Sequence, residues 1–127
     1  MMTYKQALAY IESLKSGGMK LGLARMERML ELCGHPERRL RFVHIAGTNG
    51  KGSVSRMIQS ILTTAGYRTG LFTSPAVTGI RDTITVDGAS IPEREFADIT
   101  HQLSVIQSRM AGDTASVAVR AAVRVRV

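Results

Sequence analysis

Seven consecutive residues in the first half of the chain combine the groups that a bound polyphosphate requires. Residues 47–53 read Gly-Thr-Asn-Gly-Lys-Gly-Ser. Glycines permit a tight turn and leave backbone N–H groups open to an anion, while the Lys51 ammonium supplies neutralising charge. Ser53 adds a hydroxyl of the kind that binds a phosphate-linked Mg²⁺. These residue types and spacings predict a phosphate-binding loop.

The spacing differs from that of the common phosphate loop, GxxxxGK followed directly by Ser or Thr. Here two residues separate Gly47 from Gly50, and Gly52 stands between Lys51 and Ser53. The alternative is a glycine-rich turn that only reverses the chain. A lysine between two glycines serves no purpose in such a turn, so the sequence favours the phosphate site.

The residues around the loop predict the elements that position it. A β-prone run, 42–46, precedes the loop, and an apolar helical periodicity follows it until Gly66. A further strand is predicted over 69–73, ending at Ser74. Strand, helix and strand at this spacing predict a right-handed parallel crossover, the unit of a doubly wound α/β sheet. His44, on the first of these strands, is expected to lie in the core of this sheet or to support a site residue from behind, rather than to act as a catalyst.

Helices and a hairpin are predicted in the remaining segments. Thr3 and Gln6 have capping-box spacing before a helix over about 4–15, and a second helix ends at Gly34. Asp87-Gly88 predicts a tight hairpin turn. Pro92 opens a helix with one apolar face. That face comprises Phe96, Ile99, Leu103, Ile106 and Met110.

Length, composition and charge exclude several classes of protein for this chain. The 127 residues suffice for one modest domain and exclude two full enzymatic domains. The single cysteine, Cys33, is expected to be a core residue in a reducing, cytoplasmic compartment. No apolar run has the length of a membrane span. The net charge of +7 suits anionic ligands, but no recognition motif supports nucleic-acid binding.

Three segments together resemble a known family of ligases. Residues 44–54, His-Ile-Ala-Gly-Thr-Asn-Gly-Lys-Gly-Ser-Val, resemble the ATP-binding loop of folylpolyglutamate synthase and dihydrofolate synthase, in the Mur ligase superfamily. Residues 20–26, Lys-Leu-Gly-Leu-Ala-Arg-Met, resemble an early family segment, and residues 65–75 resemble the family's run that ends in Thr-Ser-Pro. The resemblance extends over about residues 4–110.

The resemblance implies a fold, a reaction and a set of site residues. The fold is a P-loop-containing, Mur-ligase-like central α/β domain with a parallel sheet and flanking helices, incomplete at its carboxyl end. ATP would activate a folate or dihydropteroate carboxylate as an acyl phosphate, which L-glutamate attacks. ATP and Mg²⁺ are therefore the implied cofactors. The implied ligands of ATP are Gly47, Thr48, Asn49, Gly50, Lys51, Gly52 and Ser53.

The resemblance also implies that Lys51 is the catalytic lysine. It further implies that the hydroxyls of Ser53 and Ser74 are ligands of Mg²⁺. Spacing alone also allows Ser74 to be a strand-end cap. Weaker implied substrate contacts are Met19, Lys20, Leu21 and Arg81. The first three have a plain loop between helices as their alternative.

The chain also departs from the family pattern. Ala76-Val77 replace the usual His-Leu, and residues 113–127 form an arginine- and valine-rich, low-complexity segment without a family counterpart. We expect residues 1–112 to be the first part of the ATP-binding domain and 113–127 a frameshifted or disordered tail. The intact enzyme is expected to be monomeric. Two functions stay open: part of an active ligase, or a nucleotide-binding remnant without catalysis.

Overall fold

The computed structural model describes residues 1–15, 23–74 and 78–110. The predicted substrate contacts Met19, Lys20 and Leu21 and the predicted tail 113–127 lie outside these residues. The described chain forms two compact units. Unit 1 contains the described residues up to 39 and from 93 onward, and unit 2 contains those between 40 and 92.

The described residues contain four helices and three short strands. Two 3-10 turns, Pro36–Arg39 and Ile80–Thr83, lie between them. In chain order the elements are α1 (Tyr4–Lys15), α2 (Ala24–Leu32), α3 (Lys51–Thr64), β1 (Gly70–Phe72), β2 (Ile84–Val86), β3 (Ala89–Ser90) and α4 (Glu93–Arg109).

The amino end of α1 is fixed by the predicted capping box. The Thr3 backbone N–H donates to Oε1 of Gln6 at 2.8 Å, and the Gln6 N–H donates to Thr3 Oγ1 at 3.2 Å. Two N–H groups that a helix start leaves open are thereby satisfied. The prediction of this helix and its start is confirmed.

Unit 1 is a helical unit in which α1 and α2 pack against α4. The Tyr4 ring meets the buried Phe96 ring edge to face, with centroids 5.8 Å apart. Met29, Leu103 and Met110 form a buried cluster. Leu32, Cys33, Ile99 and Ile106 pack against that cluster. The predicted apolar face of α4 is therefore confirmed, and Cys33 is partly buried against this core.

Unit 2 contains α3 and one antiparallel sheet in the order β1-β2-β3. Asp87 and Gly88 both have positive φ, at 51° and 84°, which is what a two-residue turn between twisted strands requires. The Asp87 N–H donates to the Thr69 carbonyl, and the Thr69 N–H donates to Asp87 Oδ1, both at 2.8 Å. The hairpin prediction is confirmed.

The predicted parallel sheet is not what the described residues form. Residues 42–46 are not a strand, and β1 pairs with β2 in the antiparallel direction. The two-residue turn places β3 directly beside β2. The segment between β1 and β2 is short, so β2 can pair with β1 at little cost in loop-closure entropy. Residues 42–46 lack such a neighbour in the described chain. His44 is consequently exposed, so its predicted core position is wrong.

Candidate functional site

The loop of residues 47–53 turns directly into the start of α3. Gly47 has φ of 149° and Gly50 has φ of 76°, so both adopt backbone conformations that favour glycine. Gly50 is the cap of α3, and its carbonyl accepts the Val54 N–H at 2.9 Å. The glycines therefore allow the chain to leave the loop and enter the helix within a single residue.

The start of α3 leaves backbone donors open. The Val54 N–H makes the bond to Gly50, so the N–H groups of 51–53 precede the regular helical bonding pattern. Residues 47–53 are all exposed. Because a helix start also carries a partial positive charge, these open N–H groups are suited to bind an anion.

The side chain of Lys51 lies next to the space above Gly47. A Cβ placed on Gly47 would stand 3.9 Å from Lys51 Cγ. In the described part of the chain no carboxylate lies within ion-pair distance of the Lys51 ammonium. The lysine therefore adds a positive charge to the helix start without an internal counterion among these residues.

Gly52 lies in the first turn of α3 and is not required by the fold. Its φ is not in the left-handed region, and a Cβ added there would have no heavy atom within 4 Å. Glycine inside a helix costs about 0.5–1 kcal/mol relative to alanine. Helix stability therefore does not account for the glycine at position 52, and the open space leaves the backbone there accessible.

The two predicted metal ligands lie in the same unit. Ser53 is in the first turn of α3, and Ser74 is the second residue after β1; both are exposed. The Thr73 N–H donates to the Thr83 carbonyl at 2.9 Å and so holds the chain just before Ser74. Their hydroxyl oxygens are ligands that Mg²⁺ accepts. The described residues include no group of three or more His, Cys, Asp or Glu that could hold a metal.

Arg81 is the described member of the predicted substrate set. It lies in the 3-10 turn before β2, and its Nη1 donates to the Ile91 carbonyl at 3.1 Å. This bond connects the turn to the chain beyond β3. A substrate contact by Arg81 stays a prediction, and the observed bond gives the side chain a structural role.

One residue that positions the site was not predicted from the sequence. Gln59, on α3, is buried, and its amide bonds to Thr85 on β2. From the sequence alone, a glutamine in an amphipathic helix is expected on the solvent-exposed face. Its burial depends on a hydrogen bond to Thr85, which is distant in the chain, so no local sequence pattern indicates it.

Comparison with known proteins gives the family. The chain is 40% identical over 100 residues to the dihydrofolate synthase/folylpolyglutamate synthase of Bacillus subtilis, which covers 79% of this chain. It superimposes on the folylpolyglutamate synthetase of Lactobacillus casei with a TM-score of 0.81 and 28% identity over 88% of the chain. The chain belongs to the folylpolyglutamate and dihydrofolate synthase family. The family resemblance noted in the sequence is thus confirmed.

The match covers part of each family member. The chain spans 23% of the Bacillus subtilis synthase and 28% of the Lactobacillus casei one, about a quarter of their length. A further solved structure, of a folylpolyglutamate synthase in complex with AMPPCP and folate, superimposes with a TM-score of 0.76 and 29% identity. That structure covers 86% of this chain and is itself covered over 27%.

No family model matches the chain. None of the helices within the described residues is both long and apolar enough to span a membrane.

Proposed function

We propose that residues 47–53 of this synthase-family chain bind ATP. The observation that carries the proposal is the left-handed Gly50 followed at once by the start of α3. Open N–H groups converge there with the charge of Lys51, which forms no ion pair with a carboxylate of the described residues. A triphosphate needs both donors and neutralising charge. The family member that was solved with the ATP analogue AMPPCP supports this assignment.

We further propose that the bound ATP serves a ligase reaction on a folate. ATP would transfer its γ-phosphoryl group to a folate or dihydropteroate carboxylate and leave as ADP. The amine of L-glutamate would then attack the acyl carbon, which forms an amide and releases inorganic phosphate. Lys51 would neutralise the charge that develops on the phosphoryl oxygens, which is the main contribution a protein makes to such a transfer. The family member solved with both AMPPCP and folate supports this substrate class.

Mg²⁺ fits this proposal because the hydroxyls of Ser53 and Ser74 are oxygen donors, the kind of ligand that this hard cation accepts. Ser53 and Ser74 would hold the ion together with phosphate oxygens, which suits the few protein ligands that Mg²⁺ takes beside a nucleotide. When bound, the ion would neutralise phosphate charge during transfer. Within this chain the serine hydroxyls would hold the ion, and the open N–H groups would bind the phosphates.

Titration calorimetry of the 127-residue chain with ATP and Mg²⁺ tests the site, with circular dichroism to confirm folding. Lys51→Gln removes a charged hydrogen-bond donor worth about 1.5–3 kcal/mol, so affinity should fall about ten- to a hundredfold. Lys5→Gln, an exposed lysine on α1, is the control of equal charge change and should leave affinity unchanged. Equal affinity of Lys51→Gln and the unaltered chain would refute the loop assignment.

Turnover is a separate measurement. We expect the chain alone to bind ATP without folate-dependent hydrolysis, since it spans about a quarter of its relatives. Glutamate ligation by the purified chain would contradict this expectation and support a complete ligase. ATP binding without turnover leaves the nucleotide-binding function in place.

A further inference from the structure

A side-chain hydrogen bond joins α3 to the sheet inside unit 2. Gln59 Nε2 donates to Thr85 Oγ1 on β2 at 3.0 Å. Gln59 is the buried residue of α3, whereas residues 51–54, in the first turn of the helix, are exposed. Among the described residues, α3 makes no other side-chain hydrogen bond to a strand. This bond is therefore the polar contact that fixes α3 on the sheet.

The connection from α3 to β1 reverses the direction of the chain. Gly66 has φ of 96°, and the Tyr67 N–H donates to the Leu62 carbonyl at 3.0 Å, so the helix ends in a left-handed glycine cap. Residues 65–69 alone separate α3 from β1, and the two elements pack against each other. Because the chain turns back over so short a segment, the start of α3 and the end of β1 lie at the same end of unit 2.

Ser74, just after β1, is tied to the strand that carries Thr85. Leu71 on β1 lies opposite Thr85 on β2. The Thr73 N–H donates to the Thr83 carbonyl at 2.9 Å, which extends the contact between the two chain segments to the residue before Ser74. The position of Ser74 is therefore set by β2, the same strand that accepts the bond from α3.

Ser53 is connected to that strand through α3. It lies six residues before Gln59, about 9 Å along the helix, and eleven residues before Thr64 at the helix end, about 17 Å away. A tilt of α3 about its carboxyl end would displace Ser53 more than any residue nearer to that end. The bond of Gln59 to β2 opposes such a tilt, because it holds the helix at a point closer to Ser53.

Mg²⁺ is sensitive to small displacements of this kind. The ion requires near-octahedral oxygen ligands at about 2.0–2.1 Å, whereas Ca²⁺ accepts flexible arrangements at about 2.3–2.6 Å. The Ser53 and Ser74 hydroxyls belong to different elements, so their separation changes when α3 tilts. The open N–H groups of residues 51–53 move together with the helix and keep their mutual geometry. A tilt would therefore weaken binding of the ion without weakening the hold on the phosphates.

We propose that Gln59 is a positioning residue for the Mg²⁺ of the bound nucleotide, because its bond to Thr85 sets the separation of the Ser53 and Ser74 hydroxyls. This inference rests on the proposed function. Loss of the bond should reduce the gain in ATP affinity that Mg²⁺ provides and leave metal-free ATP binding unchanged. A purely structural role of Gln59 would not distinguish between these two measurements.

Titration calorimetry of the 127-residue chain with ATP tests the proposal, with Mg²⁺, with Ca²⁺ and without a divalent cation. Gln59→Leu and Thr85→Val remove the bond from either side with side chains of similar size. Each should weaken Mg²⁺-ATP binding about tenfold, the lower end of the losses seen when groups that support metal ligands are removed. Ca²⁺-ATP binding should fall less, and metal-free ATP binding should not change. The double variant should lose no more than either single one, because both remove the same bond.

A matched control removes another side-chain hydrogen bond of the same unit. Ser90→Ala eliminates the 3.0 Å bond to Asp82 and should retain the Mg²⁺ dependence of the unaltered chain. Circular dichroism identifies the temperature at which each variant is folded, and if Gln59→Leu does not fold, Thr85→Val decides the question.

Three outcomes would overturn the positioning role. These are equal losses with and without Mg²⁺, unchanged Mg²⁺-ATP affinity in both variants, and an unaltered chain whose ATP affinity does not depend on Mg²⁺. Unchanged ATP affinity in Lys51→Gln contradicts the proposed function instead, and the Mg²⁺ dependence of the Gln59 and Thr85 variants is read separately from it.

Discussion

Gln59 Nε2, on the helix that follows the candidate phosphate loop, donates a hydrogen bond to Thr85 Oγ1 on the central strand of the sheet at 3.0 Å. Gln59 is buried, with 8% of its surface exposed. The bond joins residues that are 26 positions apart in the chain. It fixes the rotation of α3 on the sheet, and thereby which face of the helix start is open to a ligand.

We predict that this bond couples α3 to the hairpin energetically. Gln59→Ala should destabilise the protein by about 1–3 kcal/mol, because it removes the bond and leaves Thr85 Oγ1 without its partner. Replacing both polar groups with Gln59→Leu and Thr85→Val should cost less than the sum of the two single changes. Urea unfolding of the four proteins of this cycle measures the coupling, and strictly additive values would contradict it.

Alanine substitution of the two glycines on either side of Lys51 should change the stability of the protein in opposite directions. Gly50→Ala places a Cβ on a left-handed residue and should destabilise the protein by about 1–2 kcal/mol. Gly52→Ala should stabilise it by about 0.5–1 kcal/mol, since the added Cβ meets nothing and alanine favours a helix. The same Cβ would stand where a phosphate approaches, so ATP affinity should fall. Thermal unfolding and calorimetry on each variant measure the two effects, and a Gly52→Ala protein with unchanged affinity would count against the open-backbone argument.

Local signals in the sequence sufficed for the helices and the turn. Thr3 and Gln6 satisfy each other's backbone within one turn of helix, and Asp87-Gly88 define a hairpin with two adjacent residues. These interactions depend on neighbours in the chain, so their residue types are enough to predict them. The loop before α3 could be predicted for the same reason, because its glycines and Lys51 are close together in the chain.

Strand partners were not predictable in this way. The run 42–46 has strand-forming residue types, but a strand also needs a neighbour that accepts its hydrogen bonds, and β1 finds that neighbour in β2. Burial of Gln59 likewise depends on Thr85, far along the chain. Non-local pairing therefore decides both the strand partners and the burial of Gln59, which local residue types do not reveal.

Cys33 should react slowly with alkylating reagents. Burial, with the nearby negative charge of Glu37, raises the pKa of the Cys33 thiol above its ordinary value. Only the thiolate reacts, so at pH 8 modification by iodoacetamide should be severalfold slower than that of glutathione, and the rate should still rise beyond pH 9. Mass spectrometry of timed samples measures this rate. Glu37→Gln should accelerate it, and a rate as fast as glutathione's would contradict the assigned environment.

The contact between His35 and Glu37 should contribute to stability in a defined pH range. His35 Nδ1 lies 2.9 Å from Glu37 Oε1, and both side chains are about two-thirds covered. Burial acts to raise the pKa of Glu37, but the hydrogen bond with His35 and the charges of His35 and Arg38 outweigh it and hold that pKa below its ordinary value. A carboxyl with a lowered pKa stabilises the folded state above its unfolded pKa, and this contribution is lost as pH falls through the folded pKa.

Urea unfolding from about pH 6 to pH 3 checks this pH dependence. The unaltered chain should lose stability on acidification, and Glu37→Gln should lose less, because glutamine carries no proton to gain. The exposed pair of Lys15 and Glu12, at 68% and 72% exposure, provides the control. An exposed ion pair contributes little to stability, so Glu12→Gln should follow the pH profile of the unaltered chain. A Glu37→Gln profile that runs parallel to that of the unaltered chain would show that the contact with His35 adds nothing to the acid dependence of folding.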